Sequence, residues 1–360
     1  MPALVIDSAG PGITLQDGGR HGYLRYGITA AGPMDPLMHA AANRAASNAL
    51  DATAIEISTG GITVSAEDGA VGLALLAPGF RVALDGVPLP DTVALALEPG
   101  QTLVVRAGDA GAWGYLAVCG RLDVAPVLGS AATHTRPLAV CGRLDVAPVL
   151  GSAATHTRSG LGGLDGRGLA AGDRLPVVEG RTPDGPPQRL VAPWLDRDGR
   201  EIRVVLGPQD DYFAPDQIEA FLAGPWTVSP RGDRMACFVD GTPLRHAKGH
   251  DIVSDGVAMG AIQVPGNGLP IILMADRQST GGYPKIATVI GPDLGRLAQV
   301  RGGASLSFRR VSVEEAVAAR RAERDLLREA VPREPVIRTD FASDFLLGLN
   351  LVGGVTDGRA

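Results

Sequence analysis

Between residues 54 and 107 short apolar runs alternate with glycine-centred turns, and this pattern constrains the fold more than any other feature of the chain. The runs 54–58, 71–77, 80–85, 93–97 and 102–107 recur at a spacing of about ten residues, the mark of an antiparallel sandwich or barrel. There is little helix-periodic sequence between them to cover a parallel sheet. Similar runs occur at 4–7, 12–16, 201–206, 226–229, 237–239, 269–275 and 285–290. The expected fold class is therefore mainly β, in two β-barrel or sandwich domains with short peripheral helices and a C-terminal helix. Aromatic residues make up only 4% of the chain, so Val, Leu, Ile and Ala must fill the cores.

Punctuation along the chain divides it. Residues 1–178 read as an N-terminal β domain. Residues 179–198, rich in proline and charge, read as a linker. Residues 199–311 read as a second β domain, and 312–360 as a helix and tail. Asp35 and Pro36 can open a first helix reaching about Ser47. Residues 214–222 suggest a short second helix, and Ser312-Val313-Glu314-Glu315 is a capping box for a charged helix to about Arg328.

One segment is written twice. Residues 116–136 and 138–158 both read LAVCGRLDVAPVLGSAATHTR, with Pro137 between them. Two copies are too few for a solenoid. The first has Trp113-Gly114-Tyr115 leading into it, and the second leads out to Ser159-Gly160-Leu161. Both cannot occupy one slot, so about one copy's length is expected to be extruded as a surface excursion. Closing such a loop costs only on the order of 3 kcal/mol.

The net charge of −6 comes from dispersed charges. It lacks the clustered Lys and Arg of a nucleic-acid binder, so no nucleic acid is expected. No apolar run reaches the roughly 18–20 residues that span a bilayer, and the first residues lack a signal peptide's basic region. No membrane contact is expected, and a cytoplasmic location is. Cys119, Cys141 and Cys237 form no metal-type pair, and buried inert thiols are expected. His246 and His250 sit four apart, but Gly249 between them points to a loop. No metal site is assigned.

The chemistry concentrates in residues 262–300. An apolar run ends in Asp276-Arg277-Gln278-Ser279-Thr280, then turns through Gly281-Gly282-Tyr283-Pro284 into Lys285. Five consecutive hydrogen-bonding side chains are costly to bury without partners. Arg277 offers a planar fork suited to a carboxylate or phosphate, and Lys285 a second cation. Asp276, Arg277 and Lys285 are the catalytic candidates. Gln278, Thr280, Gly281, Gly282, Tyr283 and Gln263 are substrate-binding candidates. So are Asp17, Arg20, Met34 and Asp35 near the first two turns. Each also has a plainer reading. Asp276 and Arg277 can pair with each other, Gly281-Gly282 can simply turn a hairpin, Asp35 can cap a helix, and Asp17 can pin its turn with Arg20.

The segments ADRQSTGGYPKIATVI and DLGRLAQV resemble the signature of the family of 5-oxoprolinase C subunits, also called allophanate hydrolase subunit 2, KipA-like or biotin-dependent carboxyltransferase-like. LQDGGRHGYLRYGITAAGPMDPLMHAAANRAASN resembles the same family's opening, and the likeness covers about residues 1–312. After Asp233-Arg234-Met235 the family continues with a glycine and an arginine, where this chain has Ala236-Cys237-Phe238.

The resemblance implies that the second domain is a cyclophilin-like barrel with a related β domain before it. It implies ATP-dependent opening of 5-oxoproline to glutamate with subunits A and B (the latter KipI-like) as partners, ATP being handled by the complex. Arg277 and Lys285 would then stabilise developing negative charge, and Asp276 would orient water or substrate. Two alternatives stay open. One is a carboxyltransferase half resembling that of urea carboxylase, with biotin carried on a partner. The other is a KipA-like regulatory binder without catalysis.

Overall fold

The computed structural model describes residues 1–336 apart from 29, 120–153, 156–161, 179 and 198. It is mainly β, as the strand pattern dictates. One six-stranded sheet has the order Arg174–Pro176, Ala3–Ala9, Ile62–Glu67, Thr102–Arg106, Arg81–Leu84, Val87–Leu89. A seven-stranded sheet has the order Thr14–Gln16, Ala54–Ser58, Trp113–Cys119, Val71–Leu76, Thr92–Leu97, Gln188–Leu190, Arg333–Pro335. Alternate residues of the two sheets, among them Leu4, Ile6, Val64 and Val105 against Ile55, Ile57, Leu73, Leu75 and Val118, form one buried core.

The seven-stranded sheet is buried on its second face as well. There α1 (Pro36–Ala45) lies on Ala54, Ala74, Tyr115 and Ala117 through Leu37, Met38, Ala41 and Ala45. Small side chains on both surfaces let helix and sheet approach closely. Asp35 caps α1, its Oδ1 accepting from Met38 N at 3.2 Å, with Pro36 in the first turn. Glu56 projects from the α1 side of its strand, opposite Ile55 and Ile57, and this places a carboxylate at the junction with the second unit.

That unit is a closed barrel. Its strands run Glu201–Leu206, Lys285–Val289, Ala261–Gln263, Ile271–Leu273, Ala236–Asp240, Trp226–Val228, Ser305–Arg310, and the last closes on the first in parallel. Val204, Val228, Ile262, Ile272, Ile286 and Phe308 fill it, and Met34 of the first unit inserts into the same cluster. The short α2 (Pro215–Ala223) stacks Phe221 on Phe308 at 4.6 Å, and Trp226 Nε1 donates to Phe221 O. α3 (Gly291–Ala298) lies between barrel strands Lys285–Val289 and Ser305–Arg310, and α4 (Val313–Leu326) is opened by the expected reciprocal bonds between Ser312 and Glu315. No helix among the described residues is long and apolar enough to cross a membrane.

Three details differ from the sequence reading. The apolar strand expected over 269–275 is shorter, Ile271–Leu273: Pro270 before it has no N–H to give the ladder, and after it Asp276 N donates to Arg234 O, out of the register that pairs Leu273 with Ala236. The stretch expected to be a linker contributes strand Gln188–Leu190, with Leu190 buried. After α4 the chain returns to pair Arg333–Pro335 with that strand.

The described parts of the duplicated unit each fill a slot once. The first copy supplies Leu116 to Cys119 of an inner strand. The second supplies Ala154 and Thr155, where Thr155 N donates to Leu15 O at 2.9 Å and Gln16 Nε2 donates to Thr155 O at 3.1 Å. The expected extrusion lies outside the described residues.

The barrel's packing and its buried carboxylate can each be tested. Phe221 is fully buried, so Phe221→Ala should cost about 3–5 kcal/mol in urea unfolding, because the cavity adds to the lost transfer energy. Buried Asp293 accepts from Arg203 N at 2.7 Å and from its guanidinium. Burial raises this carboxyl, but Arg203 and Arg296 more than offset it and hold the group below its usual range. The stabilisation is thus present above the unfolded carboxyl's pKa and lost as pH falls through the lower folded one. Asp293→Asn should lower the urea midpoint at pH 7, and its deficit against wild type should shrink below about pH 4.

Candidate functional site

The residues at the junction are organised by a cation that spacing alone did not single out. Arg234 Nε and Nη2 donate to Asp276 Oδ2 and Oδ1, both at 2.9 Å. Its Nη2 also reaches Gly32 O at 2.7 Å, and its Nη1 pairs with Glu56 Oε1. The second Glu56 oxygen accepts from Met34 N and from the Tyr115 hydroxyl, both at 2.7 Å. Tyr115 Oη in turn accepts from Asp35 N at 2.8 Å. Every one of these side chains is buried. Burial lowers the Arg234 pKa, but Glu56 and Asp276 outweigh it and hold the guanidinium above its ordinary value. Burial pushes the Glu56 carboxyl up against the opposing pull of Arg234, Met34 N–H and Tyr115.

Asp35 is both a helix cap and a junction residue. Its Oδ2 accepts from Arg197 and from Gln299 Nε2, the latter at 3.1 Å. Gly295 of α3 makes room for it, since a Cβ there would stand 2.2 Å from Asp35 Oδ1. Gln299 Oε1 accepts from Ala112 N and Trp113 N, and its Nε2 also donates to Trp113 O, so this amide ties the junction to backbone. Met34 uses its N–H on Glu56 and its side chain in the barrel core. Asp17 Oδ1 caps its own turn at Gly19 N, 2.9 Å. Arg20 is buried and donates to Ala154 O. Burial lowers its pKa, and the carboxylates of Asp17 and Asp276 oppose this.

Around the turn that follows Ile271–Leu273, Gln263 lies against Gly281 and opposite Lys285 in the strand register, and Arg277 reaches Val257. Arg277 is buried, donates from Nε to Val257 O at 3.0 Å, and has its pKa lowered by burial against the pull of Asp276. Lys285 Nζ pairs with Asp255 at 3.0 Å. Gln263 stands opposite Lys285 in the strand register. Gln278 and Thr280 are exposed, as is Tyr283, and Gly282 is half-buried. Asp276 does not pair with Arg277. Both its oxygens accept from Arg234.

A separate cleft of about 210 Å³ at the junction is lined by Met34, Trp113, Cys237, Met274 and Arg301, but not by residues 276–285. Burial lifts the Cys237 thiol to about 12, so it is no thiolate nucleophile. Among the described residues no group of His, Cys, Asp and Glu is arranged to hold a metal.

Comparison with known proteins gives this arrangement a context. Residues 26–137 and 136–310 match the carboxyltransferase domain, subdomain A and B, the two matches meeting at the boundary between the duplicated copies. The chain belongs to this carboxyltransferase-domain family. It is 36% identical to the C subunit of Escherichia coli 5-oxoprolinase over 88% of this chain and 94% of that protein. It is 28% identical to the urea amidolyase of Saccharomyces cerevisiae over 87% of this chain but only 17% of that protein. The crystal structure of TTHA0988 superposes with a TM-score of 0.71 at 31% identity, covering 86% of this chain and 56% of that one. Homology thus reaches both the C subunit of 5-oxoprolinase and the carboxyltransferase-like part of urea amidolyase.

Within this family member the residues missed by sequence reasoning are Arg234, Glu56 and Tyr115. A carboxylate set between two isoleucines in a short strand was a signal that a buried cation must exist. Its identity was hidden, because Arg234 lies 178 positions from Glu56 and 42 from Asp276. Arg234→Met should cost about 3–5 kcal/mol, since two buried carboxylates lose their counter-charge. Arg234→Lys should restore little of this, as an ammonium cannot match the bidentate geometry. Urea unfolding of both variants checks it.

Proposed function

We propose that this chain is the C subunit of an ATP-dependent 5-oxoprolinase, opening 5-oxoproline to glutamate together with A and B subunits in a cytoplasmic complex. The observation that supports this most is the 36% identity to the E. coli 5-oxoprolinase C subunit along 94% of that protein. Ring opening adds water across the lactam C–N bond. Oxygen joins the carbonyl carbon, a proton joins nitrogen, and negative charge develops on the carbonyl oxygen on the way. Arg277, desolvated and held through its Nε by Val257 O, would stabilise that charge, and Lys285 would be a second cation toward an anionic substrate. Asp276, gripped by Arg234, positions Arg277 beside it.

The described helix N-termini do not fit a nucleotide's phosphates. The sequence has no phosphate-loop motif. Among the described residues every α-helix start carries an acid that repels phosphate: Asp35, Asp216, Asp293, and Glu314 with Glu315. ATP is accordingly assigned to the partner subunits.

A carboxyltransferase half-site is the second reading, favoured by the family match itself and the likeness to urea amidolyase. Biotin would arrive on another chain, as Lys285 sits in Pro-Lys-Ile and not Met-Lys-Met. Its ureido carbonyl would meet Arg277, with Gln263 as a further donor, and biotin would supply the carboxyl group transferred. The test is turnover by the reconstituted complex, 5-oxoproline with ATP against urea with a biotin carboxylase partner. Arg277→Ala should reduce 5-oxoproline turnover by about 10²–10³-fold in the protein that remains folded by urea unfolding, as for loss of one charge-stabilising donor. Full activity in that variant removes Arg277 from the mechanism, and turnover of urea alone removes the 5-oxoprolinase reading.

A further inference from the structure

The outer wall of the barrel beside the turn holds a cluster of donors that is incompletely used. Gln263 is 2% exposed, and its Nε2 has no hydrogen-bond partner. That nitrogen faces Gly281 and lies only 2.2 Å from where a Cβ there would stand. Glycine at this position therefore leaves the amide its place. Lys285, 3% exposed, stands across the ladder from Gln263.

The Lys285 ammonium is neutralised by Asp255, whose side chain is 58% exposed. Asp255 belongs to a flap with little anchorage. A two-residue ladder, Asp255–Gly256 on Thr280–Gly281, holds it beside Gly281. Ile252 N donates to Gly282 O, Val257 N to Ser279 O, and Arg277 Nε to Val257 O. Val253 within the flap is 91% exposed.

A buried ammonium must have an anion, since its desolvation is otherwise uncompensated. An exposed aspartate is an exchangeable one. When it swings out it regains full hydration, and a surface-exposed pair contributes little on its own. What it leaves behind is an ammonium and an amide donor side by side, with Arg277 bonded to the same flap. That set matches a carboxylate attached to an amide.

We propose that Lys285 and Gln263 form a carboxylate-binding subsite, and that Asp255 of the flap occupies it until the carboxylate of an amide substrate takes its place. This rests on the reading that residues 276–285 face the substrate. It narrows the substrate class, because 5-oxoproline carries a carboxylate next to its lactam and urea carries none.

The test is calorimetric binding of 5-oxoproline and of 2-pyrrolidinone, the same lactam without its carboxylate, to the full chain and to the reconstituted complex. Asp255→Ala leaves the Lys285 ammonium without its anion, so Asp255→Asn, which keeps an acceptor for that ammonium, is measured beside it, and urea unfolding checks that both variants are folded. Removing the internal competitor should tighten 5-oxoproline binding by about tenfold while leaving 2-pyrrolidinone unchanged, as expected when an occluded state is relieved. Lys285→Met should abolish the preference for the carboxylate ligand. Equal shifts for both ligands, no shift for either, or no measurable 5-oxoproline binding by wild type and Asp255→Ala alike overturns the subsite. Turnover of 5-oxoproline with unshifted affinities in Asp255→Ala sinks the subsite and leaves the proposed activity standing. A carboxylate-selective shift without turnover does the reverse.

Discussion

One guanidinium joins the two halves of this molecule. Arg234 of the barrel lies between Glu56 of the sandwich and Asp276 of the turn, and it also donates to the Gly32 carbonyl. Three charges out of water are expensive to assemble, and an apolar substitute is often as stable. What the arrangement gives is uniqueness. The turn after Ile271–Leu273 has one position in which Asp276 meets both guanidinium nitrogens. That position is tied to the first unit through Glu56, Tyr115 and Asp35. Met34 adds an apolar plug to the same junction. The sandwich therefore acts as a template for the barrel's polar turn.

This explains how a segment with weak local structure carries a defined constellation. Residues 274–279 form no regular element, and loop backbone without such anchors has many states. Asp276 is fixed from one side by Arg234, and Arg277 from the other by Val257 O. Beyond them the chain runs near the surface until Lys285 re-enters the barrel wall opposite Gln263. The proposed chemistry thus sits on a short loop held at both ends, with a flap alongside as its movable part. Barrel strands carry Gln263 and Lys285, and the loosely attached flap carries the aspartate.

Much of this was legible in the sequence. Short glycine-bounded runs pointed to the class of fold, because runs of that length suit strands better than helices and adjacent turns force antiparallel neighbours. Asp35 and Ser312 announced helices α1 and α4 through their caps. The motif 276–285 stood out because polar density at the end of an apolar strand demands partners. What could not be read was who those partners are. Local periodicity says nothing about a guanidinium arriving from position 234 or a carboxylate from 56. Residues 274–279 form no strand, so strand alternation says nothing of where Asp276 and Arg277 point, and both side chains are buried. Strand Gln188–Leu190 was hidden for a different reason. Its proline-rich flanks signal a linker, and only pairing with the distant Thr92–Leu97 and Arg333–Pro335 makes it a strand.

The central claim is that Glu56 and Asp276, in separate units, act through one shared guanidinium. A double-mutant cycle with Glu56→Gln and Asp276→Asn, read by urea unfolding, addresses it directly. The account predicts a coupling energy of about 1 kcal/mol or more, since each change alters the charge balance felt by the other. Effects that add within about 0.5 kcal/mol, as for independent sites, would contradict it.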